Sequence, residues 1–220
     1  MATGTDRGYG ATLAIFGGSG ATGRLLVQTS LAQGYKVRAL VRNAASLNLG
    51  SDGLTVITGS VLKGDDVANC LNGCDAVICV LGPRPPYTDI FCQAATATIV
   101  ESMQACGIKR LVVQTGGMIG DYPANRSLPF RLMTALFNNR LPAAAADRKG
   151  QEESIKNSRL DWTIVKPSRL TLSPAKNHWS AGSGLKLGML SSISRTDLAN
   201  FLLSEAVAPK FTGMAVFIKN

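Results

Sequence analysis

The 220-residue chain holds a single histidine, and its five cysteines include no C-x-x-C pair. Nothing in it has the spacing of a zinc site, so no metal is expected. An odd number of cysteines on apolar stretches suits reduced, buried thiols in a reducing compartment. No run of about 18 apolar residues occurs, and the N-terminal stretch Met1–Gly10 is polar, without an apolar signal core. The expectation is a soluble, cytoplasmic protein with no membrane partner. Net charge is +9 with a pI near 9.6, yet the basic residues are scattered, with no run of five or more. A nucleic-acid groove is not indicated; a basic pocket for an anionic cofactor and a small, anionic substrate is.

The most informative absence is local. No Asp or Glu occurs from Gly17 to Ser51. That stretch opens with a strand-like run, Leu13–Phe16, leading into Gly17-Gly18-Ser19-Gly20-Ala21-Thr22-Gly23. A dinucleotide-binding βαβ unit needs glycines here because the turn is tight, the backbone approaches the pyrophosphate, and the next helix packs near the strand. A helix-compatible segment, Arg24–Leu31, follows, then Gly34 and a second β-run, Lys36–Val41. NAD sites place an acid at the end of that second strand, whereas NADP sites place an arginine there. This chain has Arg42, suited to bidentate phosphate contact, so the expected cofactor is NADP(H).

Hydrophobic content of 45% with only 6% aromatics suits a parallel sheet buried under helices. Further strands are expected at Leu54–Thr58, Asp75–Leu81, Arg110–Thr115, Asp161–Lys166 and Ala215–Ile218. Helices are expected at Asp65–Leu71, from a cap at Thr88 or Asp89 to Cys106, in a polar segment ending near Ser158, and at Leu198–Ala206 behind a capping box at Ser194–Asp197. The alternation predicts an α/β Rossmann fold, with a doubly wound, mostly parallel sheet and helices on both faces, and residues 1–220 forming a single domain. Two segments break the βα rhythm, Ile119–Ala146 and Leu170–Ser192. Extra loops at the carboxyl ends of strands hold ligands in such folds, so both are expected to wall a substrate pocket. A dimer surface or a plain loop remains the alternative for the first segment, and the oligomeric expectation is monomer or homodimer.

Together these residues resemble the atypical short-chain dehydrogenases. The Gly17–Gly23 turn looks like their G-x-x-G-x-x-G, and Val41-Arg42, Gly59-Ser60-Val61, Val80-Leu81-Gly82, Val113-Gln114-Thr115 and Leu160–Pro167 fall in the order of the NAD(P)-binding, NmrA-like members. Length and spacing are most similar to the biliverdin-IXβ reductase and flavin reductase proteins. The resemblance implies that Gly17, Gly20, Ala21, Thr22 and Gly23 hold the pyrophosphate, and that Arg42 with Ser46 holds the 2′-phosphate. It implies Ser60 and Val61 at the adenine, Leu81 and Gly82 near the adenosine ribose, and Thr115, Lys166 and Pro167 beside the nicotinamide. This chain departs from the family pattern in having Ser60 for Asp, Gly116-Gly117 after the strand-five Thr, and Arg169 where the reductases carry His.

Classical members of the superfamily use Tyr-x-x-x-Lys as acid and base, and that pair is missing here. Tyr122-x-x-x-Arg126 is the nearest approach. The lone His178 falls in a loop, and no Ser-His-Asp set or carboxylate pair supports hydrolysis. Tyr122, Lys166 and Arg169 are therefore the catalytic candidates, the last two as partners for an acidic group on the substrate. The expected activity is NADPH-dependent hydride transfer to a conjugated, aromatic acceptor such as a flavin or a linear tetrapyrrole. The alternatives are an NADP-sensing regulator without catalysis, and an isomerase, cyclase or dehydratase on the same fold.

Overall fold

The computed structural model describes residues 10–83 and 85–220; of the polar N-terminal stretch only Gly10 is among them. The first half is the expected alternation: β1 (Thr12–Phe16), α1 (Ala21–Ala32), β2 (Lys36–Val41), β3 (Leu54–Thr58), α2 (Gly64–Leu71), β4 (Ala76–Cys79), α3 (Cys92–Ala105) and β5 (Arg110–Gln114). Two consecutive helices follow, α4 (Leu128–Arg140) and α5 (Pro142–Lys156), and then β6 (Asp161–Pro167). Three short strands, β7 (Arg169–Thr171), β8 (Ser180–Gly182) and β9 (Ser192–Ser194), precede α6 (Arg195–Val207) and β10 (Met214–Lys219). The sheet runs β3-β2-β1-β4-β5-β6-β10-β8, parallel except where β8 lies antiparallel on β10. β7 and β9 pair separately.

Alternation along each strand decides which helix it meets. Leu13 and Ile15 of β1 join Leu26, Val27, Leu198 and Leu202 under α1 and α6. Ala14 and Phe16 turn the other way, into Val67, Ile99, Met103 and Ile155 under α2, α3 and α5. Side chains on both faces are buried, so the strands read as continuous apolar runs. Strand order reverses between β1 and β4, so the ends of these two strands border the crevice in which such sheets bind ligands.

The start of α3 differs from expectation. The helix assigned a cap at Thr88 or Asp89 begins instead at Cys92, after Phe91, which gives no side-chain cap. The missing cap comes from α5: the Asp147 carboxylate accepts the Cys92 and Gln93 N–H groups, both at 2.9 Å. Asp147 is distant in sequence, so local signals could not show it. The box opening α6 is present, with Ser194 Oγ accepting the Asp197 N–H at 3.0 Å. Its carboxylate does not take the Ser194 N–H, which donates to Asn220 Oδ1 instead; it accepts from Ser194 Oγ and from the N–H groups of Lys176 and Asn177, tying down the Leu170–Ser192 segment.

Removing the α3 cap should leave the buried Cys92 N–H and the part-buried Gln93 N–H without their acceptor. Asp147→Ala is expected to cost about 1–2 kcal/mol, read as a lower urea midpoint with an unchanged slope.

Candidate active site

The candidate residues gather at the carboxyl edge of the sheet. Gly17 has φ +89°, a region that favours glycine, and its carbonyl accepts the Gly20 N–H at 3.0 Å. A Cβ on Gly17 would lie 2.9 Å from the Val80 carbonyl carbon, so the turn passes directly against the end of β4. A Cβ on Gly23 would overlap the Gly17 carbonyl, so α1 presses onto the turn that precedes it. The first turn of α1 has no side-chain cap and no acidic residue, leaving its N–H groups free for an anion. Close backbone approach with open donors is the fit a pyrophosphate requires.

At the end of β2, Arg42 is exposed and Ser46 sits in a short 3-10 turn, its Oγ donating to the Asn43 carbonyl at 2.6 Å. Arg24, from the first turn of α1, donates to the Ser46 carbonyl. Two guanidinium-bearing residues thus flank this loop, although only Arg42 stood out in the sequence. Beyond β3, the Ser60 N–H donates to Asp66 Oδ2 at 2.8 Å, so a carboxylate from α2 lies over Gly59–Ser60. Val61 packs on the core below. Past β4, the Leu81 carbonyl accepts from Arg148 Nη1 at 2.9 Å, with exposed Gly82 beside it. Arg148 also reaches the Gln114 carbonyl at 3.4 Å, bridging the ends of β4 and β5 from α5.

Tyr122 and Lys166 do come together, around a residue the sequence did not single out. Ile164 faces α5 from β6, so Lys166, two residues on, faces it as well. Its fully buried ammonium donates to Glu152 Oε1 and lies 4.5 Å from the Tyr122 ring centre. Thr115 Oγ1 donates to the same oxygen at 2.8 Å, and the Tyr122 hydroxyl donates to Glu152 Oε2 at 3.1 Å. Burial lowers the Lys166 ammonium to about 8 against the opposing pull of Glu152. Burial and Glu152 together raise the Tyr122 phenol above its ordinary range. Arg169 stands apart, exposed on β7, and His178 is exposed in its loop. Pro167 is buried at the end of β6, and its carbonyl accepts the Gly117 N–H at 2.9 Å.

The two irregular segments are laced to each other. Buried Asn125 donates to the carbonyls of Ser183 and Leu185, at 2.7 and 3.0 Å, and its own carbonyl accepts the Leu187 N–H. Arg126 ties the first segment to the loop after β5 through the carbonyls of Gly117, Ile119 and Gly120. A Cβ on Gly117 would come within 2.6 Å of Leu187, so the Gly116-Gly117 departure makes room for the second segment. Cavities of about 440 and 480 Å³ lie at the opposite edge of the sheet, near Cys74 and Cys106 and near Arg110 and Asp161. They share no residue with this site.

The buried pair generates a pH dependence. An unfolded lysine titrates near 10.4, so between about pH 8 and 10 the unfolded chain holds a proton that native Lys166 has released. Native stability gains from this group as pH rises through that window. Urea midpoints across it are expected to climb in the wild type relative to a Glu152→Gln/Lys166→Met double variant.

Comparison with known proteins agrees with this geometry. The model of the NAD(P)H-binding family matches residues 17–209. The photosystem II assembly factor Ycf39 of Trieres chinensis is 34% identical over 105 residues, 46% of this chain and 33% of that protein. An uncharacterised chloroplastic protein of Arabidopsis thaliana is 29% identical over 171 residues, covering 73% of this chain and 59% of that one. The chain thus matches a third to three-fifths of the length of these relatives. Among solved structures, a short-chain dehydrogenase/reductase of Veillonella parvula in complex with NADP has a TM-score of 0.78 at 16% identity, covering 96% of this chain and 94% of that one. The anaerobilin reductase ChuY of Escherichia coli O157:H7 gives 0.75 at 19%, covering 95% and 97%. The expected doubly wound sheet is the fold these structures share, and the expected dinucleotide cofactor agrees with the family. By its turn, its sheet and this match over most of its length, the chain belongs to the NAD(P)H-binding family of Rossmann-fold proteins.

Proposed function

We propose that the protein is an NADPH-dependent reductase acting on a flat, conjugated, anionic acceptor such as a flavin or a linear tetrapyrrole. Bound NADPH supplies the hydride; the chain binds, orients and shields. Gly17 to Gly23 and the open end of α1 receive the pyrophosphate, Arg42, Arg24 and Ser46 the 2′-phosphate, and Ser60, Val61, Leu81 and Gly82 the adenosine. Thr115 and Pro167 border the nicotinamide. Arg148 keeps the ends of β4 and β5 at a fixed separation below it.

The observation that carries the reading is how the local protons are held. The Tyr122 hydroxyl donates into Glu152, and the Lys166 ammonium is sealed from solvent against the same carboxylate. A phenol so held is a weaker acid than an ordinary tyrosine, so Tyr122 positions a ring rather than delivering a proton. A conjugated acceptor suits such a site: proximity and orientation lower the barrier to hydride transfer, and water protonates the reduced product. Anionic character follows from the two laced segments. No acid occurs from Tyr122 to Ala146 or from Trp162 to Thr196, and exposed Arg131, Arg140, Arg169 and Lys176 lie within these acid-free stretches. The anaerobilin reductase ChuY shares this fold, which is in keeping with a reductase.

One observation favours a second reading, an NADP(H)-responsive protein that binds a partner. Leu128, Leu132 and Leu136 form a stripe on α4, exposed at 75%, 65% and 57%. Single exposed leucines are ordinary, but three at this spacing present a continuous apolar face. The Trieres chinensis relative, named as an assembly factor, belongs with this reading.

Steady-state NADPH oxidation with flavin, linear tetrapyrrole and quinone acceptors separates the two. Turnover with a flavin or tetrapyrrole is expected, and Tyr122→Phe should keep kcat within about threefold. A loss of 100-fold or more, the scale of general acid catalysis, would instead make Tyr122 the proton donor. Tight NADPH binding without turnover on any acceptor would favour the partner-binding reading. Arg42→Ala should weaken NADPH roughly 10- to 100-fold, the worth of a charge-assisted contact, while leaving NADH binding unchanged by calorimetry.

A further inference from the structure

Among the described residues, five arginines turn their guanidinium groups toward the protein, and four of them each make two or more hydrogen bonds to it. Arg110 donates to the carbonyls of Asp161 and Glu205 and to Thr163 Oγ1. Arg126 donates to three carbonyls, Arg148 to two and to Cys92 Sγ, and Arg38 to those of Asn69 and Cys70. Arg195 differs. Its one hydrogen bond among the described residues is a long one, from Nη1 to Thr22 Oγ1 at 3.4 Å. Its Nε is buried with no partner among the described residues. No carboxylate among the described residues forms an ion pair with it.

Its position adds to the anomaly. Arg195 opens α6, and a cation in the first turn of a helix meets the positive end of the helix dipole. The acid that could offset this, Asp197, is engaged elsewhere. Its oxygens accept from the N–H groups of Lys176 and Asn177, from Ser194 Oγ and from Asn220 Nδ2. α6 packs beside α1 on the same face of the sheet, and Thr22 lies in the uncapped first turn of α1. Two helix N-termini and a guanidinium with unused donors therefore converge on one spot. A buried unpaired donor calls for an acceptor, and at this spot only an anion would relieve all three.

We propose that Arg195 is a dinucleotide-binding residue, its guanidinium contacting the pyrophosphate bridge where the bridge meets the first turn of α1. This rests on placing the dinucleotide at the Gly17–Gly23 turn, and adds a ligand from the far end of the chain. Binding would fasten α6 to α1 through the phosphates, since Arg195 already touches Thr22. The 2′-phosphate, at the end of β2, remains the concern of Arg42. The two arginines therefore read different phosphates.

The test is a crossed binding experiment by calorimetry or competition, using NADPH, NADH and adenosine 2′-monophosphate, which carries the 2′-phosphate but no bridge. Arg195→Ala is expected to weaken NADPH and NADH alike by roughly 10- to 100-fold and to leave adenosine 2′-monophosphate within twofold. Arg42→Ala should show the complementary pattern, weakening NADPH and adenosine 2′-monophosphate but not NADH. Arg195→Lys should recover part of the loss. Arg195→Met keeps the apolar stem and carries the same test if the alanine variant does not fold. NADPH and NADH affinities within twofold of wild type would overturn the proposal while leaving the turn assignment intact. An equal loss of all three ligands, with a lower melting temperature, would overturn it by making Arg195 a spacer between α1 and α6. If neither Arg195→Ala nor Arg42→Ala altered any affinity, the placement of the dinucleotide itself would fail.

Discussion

The close approach of the Gly17–Gly23 turn to the ends of β1 and β4 is the constraint on which the rest of the site depends. A side chain at Gly17 would strike the backbone at Val80, and one at Gly23 would strike the Gly17 carbonyl. With neither present, α1 starts directly over the crevice where strand order reverses, its free N–H groups at the carboxyl edge. The position of α1 then governs its neighbours. Arg24 reaches the loop after β2, and α6 lies alongside with Arg195 against Thr22. Larger residues at the turn would displace the helix, and with it both of these contacts.

A second feature is the management of negative charge around a site that receives anions. Two carboxylates near the carboxyl edge, Glu152 and Asp147, are almost fully buried and heavily hydrogen-bonded. Glu152 takes bonds from Lys166, Thr115 and Tyr122, and Asp147 caps α3. Asp66 is held against the Ser60 N–H. A buried ion pair costs desolvation that its attraction only partly offsets, so Lys166 and Glu152 are better understood as fixing the geometry of this edge than as a source of stability. They hold Tyr122, Thr115 and the start of the first irregular segment in one arrangement.

What was legible in the sequence was what is local. All seven expected strands form, because their apolar runs and bounding turns need no distant partner to be recognised. The glycine turn and Arg42 were legible for the same reason. Glu152 was not: it sits in a polar helix segment, Asp147–Lys156, and only the packing of α5 on β6 turns it inward. Arg148, Asn125 and Arg195 are likewise defined by carbonyls and hydroxyls dozens of residues away. The start of α3 was misplaced because its cap comes from Asp147, on another helix. Arg169 was singled out by a family position, and the structure leaves it exposed on β7, outside the hydrogen-bonded cluster of Tyr122 and Lys166.

In the proposed reaction a reduced nicotinamide passes hydride directly to an acceptor held at this edge. The decisive measurement uses NADPH deuterated at C4 of the nicotinamide, in a single turnover with a flavin or linear tetrapyrrole in ordinary water. Deuterium from one face of the nicotinamide is expected in the reduced tetrapyrrole or, for a flavin whose N–H exchanges, a primary isotope effect on the rate. Conversion of the acceptor with no isotope effect and no label transferred, or with NADPH left unoxidised, would contradict direct hydride transfer.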